Sequence, residues 1–192
     1  MSVLKTKGVS MEFPGVKALR EVDFKIETGK IQALVGANGA GKSTLMKVLA
    51  GANPGYTGDV FIDGRLVSLR SPAAAKAEGI HIVYQEADAA LIPSLSVAEN
   101  IALDELAAGK GSPFINRSRM RAEAERILKR LDCDIDVGAR VGELSLAKKQ
   151  IVLIARALAD RRRFLLLDEP TAPLSQAETE ALFRLCGRLA YE

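Results

Sequence analysis

The sequence predicts an α/β fold. A mostly parallel sheet is joined by antiparallel strands near the N-terminus, and an all-helical block is inserted between two strand-bearing stretches. Three observations predict it. An apolar run at residues 31–35 leads through a glycine-rich loop into good helix formers at 45–50. A second apolar run at 164–167 ends directly on Asp168 and Glu169. Between them, apolar residues in a charged stretch recur at helical spacing.

Each element has its own signal. Val22-Asp23-Phe24-Lys25-Ile26 alternates, as a half-exposed antiparallel strand does. Residues 31–35 are nearly continuous in apolarity, which predicts a buried parallel strand. The following helix closes at Gly51. Val60-Phe61-Ile62 and then Asp63-Gly64 predict a strand and a hairpin turn. Ser71-Pro72 opens a short helix that Gly79 ends. Residues 80–84 predict another buried strand, with Gln85 immediately after it. Ser96 and Glu99 form a capping box, and residues 109–113 a glycine-rich loop. Residues 117–131 predict a helix capped by Asn116, with Ile127, Leu128 and Leu131 on one face. Ser145 caps a third helix burying Ile151, Val152, Ile154, Ala155 and Leu158. The strand at 164–167 follows, and Ser175 and Glu178 box a last helix that runs nearly to the end.

Composition excludes several classes. A net charge of +3 over 192 residues carries no argument for nucleic acid or a membrane surface. Arg161-Arg162-Arg163 reads as a solvated loop. No apolar run reaches membrane-span length, and the first residues lack a secretion signal. Cys133 and Cys186, without metal-ligand spacing, read as reduced packing thiols.

The chemistry lies in two motifs. Gly36-Ala37-Asn38-Gly39-Ala40-Gly41-Lys42-Ser43-Thr44 fits the phosphate-loop pattern G-x-x-x-x-G-K-[ST]. Glycines let the backbone curl around phosphate oxygens, and the N–H groups face an anion at the start of a helix. Lys42 reaches the terminal phosphates and Ser43 offers a hydroxyl to Mg²⁺. Asp168, at the C-terminal end of a parallel strand, is placed to hold that Mg²⁺. Glu169 is placed to orient and deprotonate an attacking water.

With these motifs on the page, the chain resembles the nucleotide-binding domain of ATP-binding-cassette transporters. The segments that carry the resemblance are 36–44, Gln85, Leu144-Ser145-Leu146-Ala147-Lys148-Lys149-Gln150, and Leu165 through Ala172. Residues 13–19 and 91–101 resemble the ribose-type monosaccharide importers, first of two tandem cassettes. The resemblance implies a P-loop NTPase core split over 1–86 and 161–192, with the helical subdomain at 87–160. It implies that ATP and Mg²⁺ are bound by residues 37–44, that Phe13 stacks on adenine, and that Gln85 senses the γ-phosphate, Mg²⁺ and water. It implies that Ser145 and Ala147 face an ATP held by a second cassette. Partners implied are that cassette, membrane permease subunits and, indirectly, a solute-binding protein, at the cytoplasmic side of the cell membrane. Nucleic acid is not among them. The alternative from another class is a soluble ATPase clamping ribosome or DNA.

Three departures stand out. Ala147 and Lys148 replace the second glycine and the glutamine of the LSGGQ segment, which predicts an asymmetric pair of ATP sites. Ser175 stands where the family often has an aspartate. The family continues past residue 192 with a strand ending in a histidine. His81 precedes Gln85 and reads as a core or sheet-edge residue, so the chain is expected to be a fragment with the C-terminal part of its core missing and weak turnover alone.

Overall fold

The computed structural model describes residues 1–84, 90–107, 116–159, 163–172 and 174–191. Gln85 and the 109–113 loop lie outside them. The chain forms two compact units: residues 1–82, 163–166 and 183–192, and residues 83–162 and 167–182.

In the first unit, β1 (Val3–Phe13) and β2 (Val16–Glu27) form a long hairpin. With β3 (Thr57–Ile62) and β4 (Arg65–Val67) they make an antiparallel sheet in the order β2-β1-β3-β4. The Asp63-Gly64 turn joins β3 to β4 as the sequence predicts. The first strand was not predicted: charged and polar residues interrupt its apolar ones, and its register against β2 shifts three times, so no clean alternation survives. Leu4, Val9, Val60 and Ile62 from this sheet bury themselves with Leu45, Val48 and Leu49 of α1 (Lys42–Leu49) and with Leu69, Ile80 and Phe164. Helix α2 (Pro72–Ala77) starts as expected, with Ser71 Oγ accepting from Ala74 N at 3.1 Å. Arg163 is not merely solvated: it donates to Ser2 Oγ and pairs with Asp63.

Strands β5 (Ile80–Val83) and β6 (Phe164–Leu167) pair in parallel, Phe164 N donating to Gly79 O and Asp168 N to Val83 O, each at 3.0 Å. His81 is buried on β5. The predicted strand at 31–35 is corrected. Among the described residues nothing pairs with it, and Ile31 and Val35 are 64% and 87% exposed. An apolar run promises burial only where a neighbouring strand takes up its N–H and C=O groups, and here none does.

The second unit packs α3 (Val97–Ile101), α5 (Arg117–Arg130) and α6 (Leu146–Ala159) pairwise, with α4 (Leu103–Ala107) following α3. The Ser96–Glu99 capping box and the Asn116 cap are both formed. Buried residues on α6 differ from expectation: Ile151 is half-buried, while Val152 through Ala155 are all buried. A helix packed by two neighbours buries more than the single stripe that periodicity reports. Helix α7 (Gln176–Tyr191) opens on the Ser175–Glu178 box, whose carboxylate accepts from Ser175 N at 2.9 Å.

Candidate functional site

The phosphate-loop residues sit on a backbone that only glycine takes easily. Gly39 and Gly41 have φ of 80° and 90°. Gly41 is also the N-cap of α1, without a side-chain cap bond. A Cβ at Gly41 would lie 2.5 Å from the Ala18 carbonyl oxygen and 2.9 Å from Leu19 Cδ2, so β2 backs the loop and sets its curl. A Cβ at Gly39 would meet nothing within 4 Å. Ala40 N donates to Ala37 O at 3.1 Å across the exposed Asn38, and the first intrahelical bond comes from Leu45 N to Gly41 O. The amides of 42–44 therefore open the helix at its positive end. Lys42 Nζ donates to Gly36 O at 2.7 Å and Ala37 O at 2.9 Å, which lays the ammonium over the loop. Thr44 and Ser43 are half-buried in the first turn. This donor set suits a polyphosphate.

Phe13 ends β1 beside the Pro14-Gly15 turn and pairs with Val16. Its ring is 38% exposed, outside the core.

The second unit holds the carboxylates. Asp168 is buried at the end of β6, tied by its N–H to Val83. Burial, and then the charge of Asp168, push the neighbouring Tyr84 hydroxyl above its ordinary range. Glu169 is exposed with φ of 46°, a left-handed backbone uncommon outside glycine. Ser145 is exposed at the start of α6, its Oγ accepting from Lys148 N at 3.4 Å, and Ala147 is half-buried behind it. Ser43 in the first unit and Asp168 in the second each offer a hard oxygen of the kind Mg²⁺ takes. No group of three or more His, Cys, Asp or Glu gathers among the described residues.

Sequence reasoning missed Ala18 and Leu19, which support Gly41 through contacts distant in sequence. It also missed Asn100. That fully buried side chain bonds Ile92 N and O, Ser96 O and the Arg156 guanidinium. Residues 99–101 entered the sequence reading only as a helix start and as part of the importer-like 91–101 stretch.

Residues 19–172 match the ABC transporter family. The chain belongs to the ABC transporter family. The cassette is 46% identical over 195 residues to the ribose import ATP-binding protein RbsA 2 of Burkholderia pseudomallei (strain 1710b), covering 99% of this chain and 37% of that protein. It is 47% identical over 190 residues to the arabinose import ATP-binding protein AraG of Chromohalobacter salexigens, covering 98% and 37%. The cassette thus spans little more than a third of the relatives it matches. Its fold is that of solved cassettes. The ADP conformation of MJ1267 superposes with a TM-score of 0.85 at 26% identity, covering 99% and 77% of the two chains. The dimeric cassette MJ0796 does so at 0.81 and 27%, covering 97% and 82%. The fold class read from the sequence, a P-loop NTPase core with N-terminal antiparallel strands, is therefore borne out.

Proposed function

We propose that this cassette binds ATP on residues 36–44 and hydrolyses it to drive import of a sugar or similar small solute. The observation that carries the first half is the loop: left-handed Gly39 and Gly41, with Lys42 Nζ folded over the carbonyls of Gly36 and Ala37. Relatives that are ribose and arabinose import ATP-binding proteins support the second half. Loop amides and Lys42 hold the β- and γ-phosphates, and Phe13 stacks on the base. Ser43, Asp168 and Gln85 would hold Mg²⁺, which would supply positive charge to the phosphate oxygens when bound. Glu169 takes a proton from water as its oxygen bonds to the γ-phosphorus and the bond to the ADP oxygen breaks. Ser145 and Ala147 face a nucleotide held by a second cassette. The permease meets the helical unit at the cytoplasmic face of the cell membrane, and a solute-binding protein acts through it. No described helix is long and apolar enough to cross a membrane.

Calorimetry with MgATP tests the loop. Lys42→Ala weakens binding by at least about tenfold, the worth of a charge-assisted hydrogen bond. Equal heats and affinities for the two chains overturn the assignment. In the assembled importer, the altered 144–148 segment points to unequal sites: Lys42→Ala abolishes turnover, whereas Ser145→Ala chiefly raises the KM for ATP. Equal losses of turnover overturn the asymmetry.

A further inference from the structure

Helix α6 carries a half-buried and a fully buried polar side chain that are treated in opposite ways. Near its C-terminal end, Arg156 donates from Nε to Asn100 O at 2.8 Å, from one terminal nitrogen to Ala90 O at 2.8 Å, and from the other to Asn100 Oδ1 at 3.1 Å. This end is clamped. Six residues earlier, about 9 Å along the axis, stands Gln150. It is 1% exposed, yet neither its Oε1 nor its Nε2 has a hydrogen-bond partner.

Native interiors rarely leave such atoms unpaired, and each one weakens the state that contains it. The same unit satisfies Asn100 with partners on three sides, so the exception at Gln150 is local. Side chains on a helix lean toward its N-terminus, which carries the Gln150 carboxamide over the turn of Leu146 and Ala147. That turn is under-determined by other measures too. The Ser145 cap bond is long at 3.4 Å, against 3.2 Å and 2.8 Å in the Ser96 capping box, and Leu146 is exposed. The Arg156 end is thus clamped by a guanidinium, whereas the Ser145 end is held by the backbone bond from Lys149 N to Ser145 O at 2.9 Å and by the long cap bond.

We propose that Gln150 is a positioning residue: its carboxamide acquires partners only when the 145–148 turn closes on a triphosphate, so that nucleotide engagement relieves an unsatisfied resting state. This rests on the proposed role of Ser145. The chain is read as trading stability of the open form for tighter closure.

The test uses Gln150→Met, close in volume and without polar atoms, with Gln150→Leu as the second variant. Melting of the chain is expected to rise by a few degrees in at least one variant, because two unpaired polar atoms are removed. In the assembled importer, the KM for ATP is expected to rise about tenfold with kcat within about twofold, the signature of lost binding. A purely structural glutamine would lower the melting temperature instead. Lower melting or failure to fold in both variants, or an unchanged KM, overturns the proposal. MgATP calorimetry on the wild-type chain separates the two claims. Absence of heat there defeats the ATP reading itself, whereas normal binding with an unchanged KM in the variants defeats only the role of Gln150.

Discussion

At Gly41 a methyl group would sit 2.5 Å from the Ala18 carbonyl oxygen on a backbone with φ of 90°. Both terms are unfavourable, so Gly41→Ala is expected to cost about 3 kcal/mol or more, measured by urea unfolding. Gly39→Ala carries the φ penalty alone, since its Cβ would stand in open space, and should cost about 1–2 kcal/mol. A second residue-scale expectation concerns acid. Glu27 accepts from Lys25 at 2.8 Å and Lys30 at 2.5 Å, which hold its carboxyl at about 2 against an ordinary 4.5. A carboxyl depressed in the folded state stabilises above its unfolded value and loses that contribution as pH falls through the folded one. Melting temperature should therefore decline between pH 4.5 and 2 less steeply in Glu27→Gln than in wild type. Because both lysines are exposed, salt should shrink the difference.

Among the elements, α3 and α6 meet at Asn100 and Arg156. Asn100 uses its carbonyl and amide on Ile92, Ser96 and Arg156, whose guanidinium burial already lowers from its ordinary range. Asn100→Ala strands a half-buried guanidinium nitrogen and the Ile92 amide, while the Ile92 and Ser96 carbonyls keep their bonds from the backbone amides of residues 95 and 100, and should cost about 3 kcal/mol in urea unfolding. The caps give the contrast. Ser96→Ala breaks a reciprocal box and should cost about 1 kcal/mol, whereas Ser145→Ala, with its 3.4 Å bond, should cost under about 0.5 kcal/mol. A serine that contributes so little to the fold is free to serve a ligand.

For the whole molecule, the unpaired 31–35 segment is the main liability. Ile31 and Val35 are exposed beside backbone groups with no ladder, and Phe183 of the same unit is exposed as well. Such stretches invite strand pairing between copies. Val35→Lys should reduce light scattering by the concentrated chain without lowering its melting temperature. If scattering persists unchanged, association runs through another surface.

Much of this was legible beforehand, for a definite reason. The 36–44 loop, the capping boxes at Ser96 and Ser175, the Asn116 cap and the Asp63-Gly64 turn are each decided within a few residues, where backbone conformation and local hydrogen bonds follow from residue type. So the sequence by itself determined the fold class, the family and these local conformations. What only the tertiary structure decided depends on groups distant in the chain. Ala18 pressing on Gly41, Asn100 clamped by Arg156, Gln150 left without partners and residues 31–35 left without a neighbouring strand all record who lies alongside, and hydrogen bonds and steric contacts between remote segments leave no trace in local pattern.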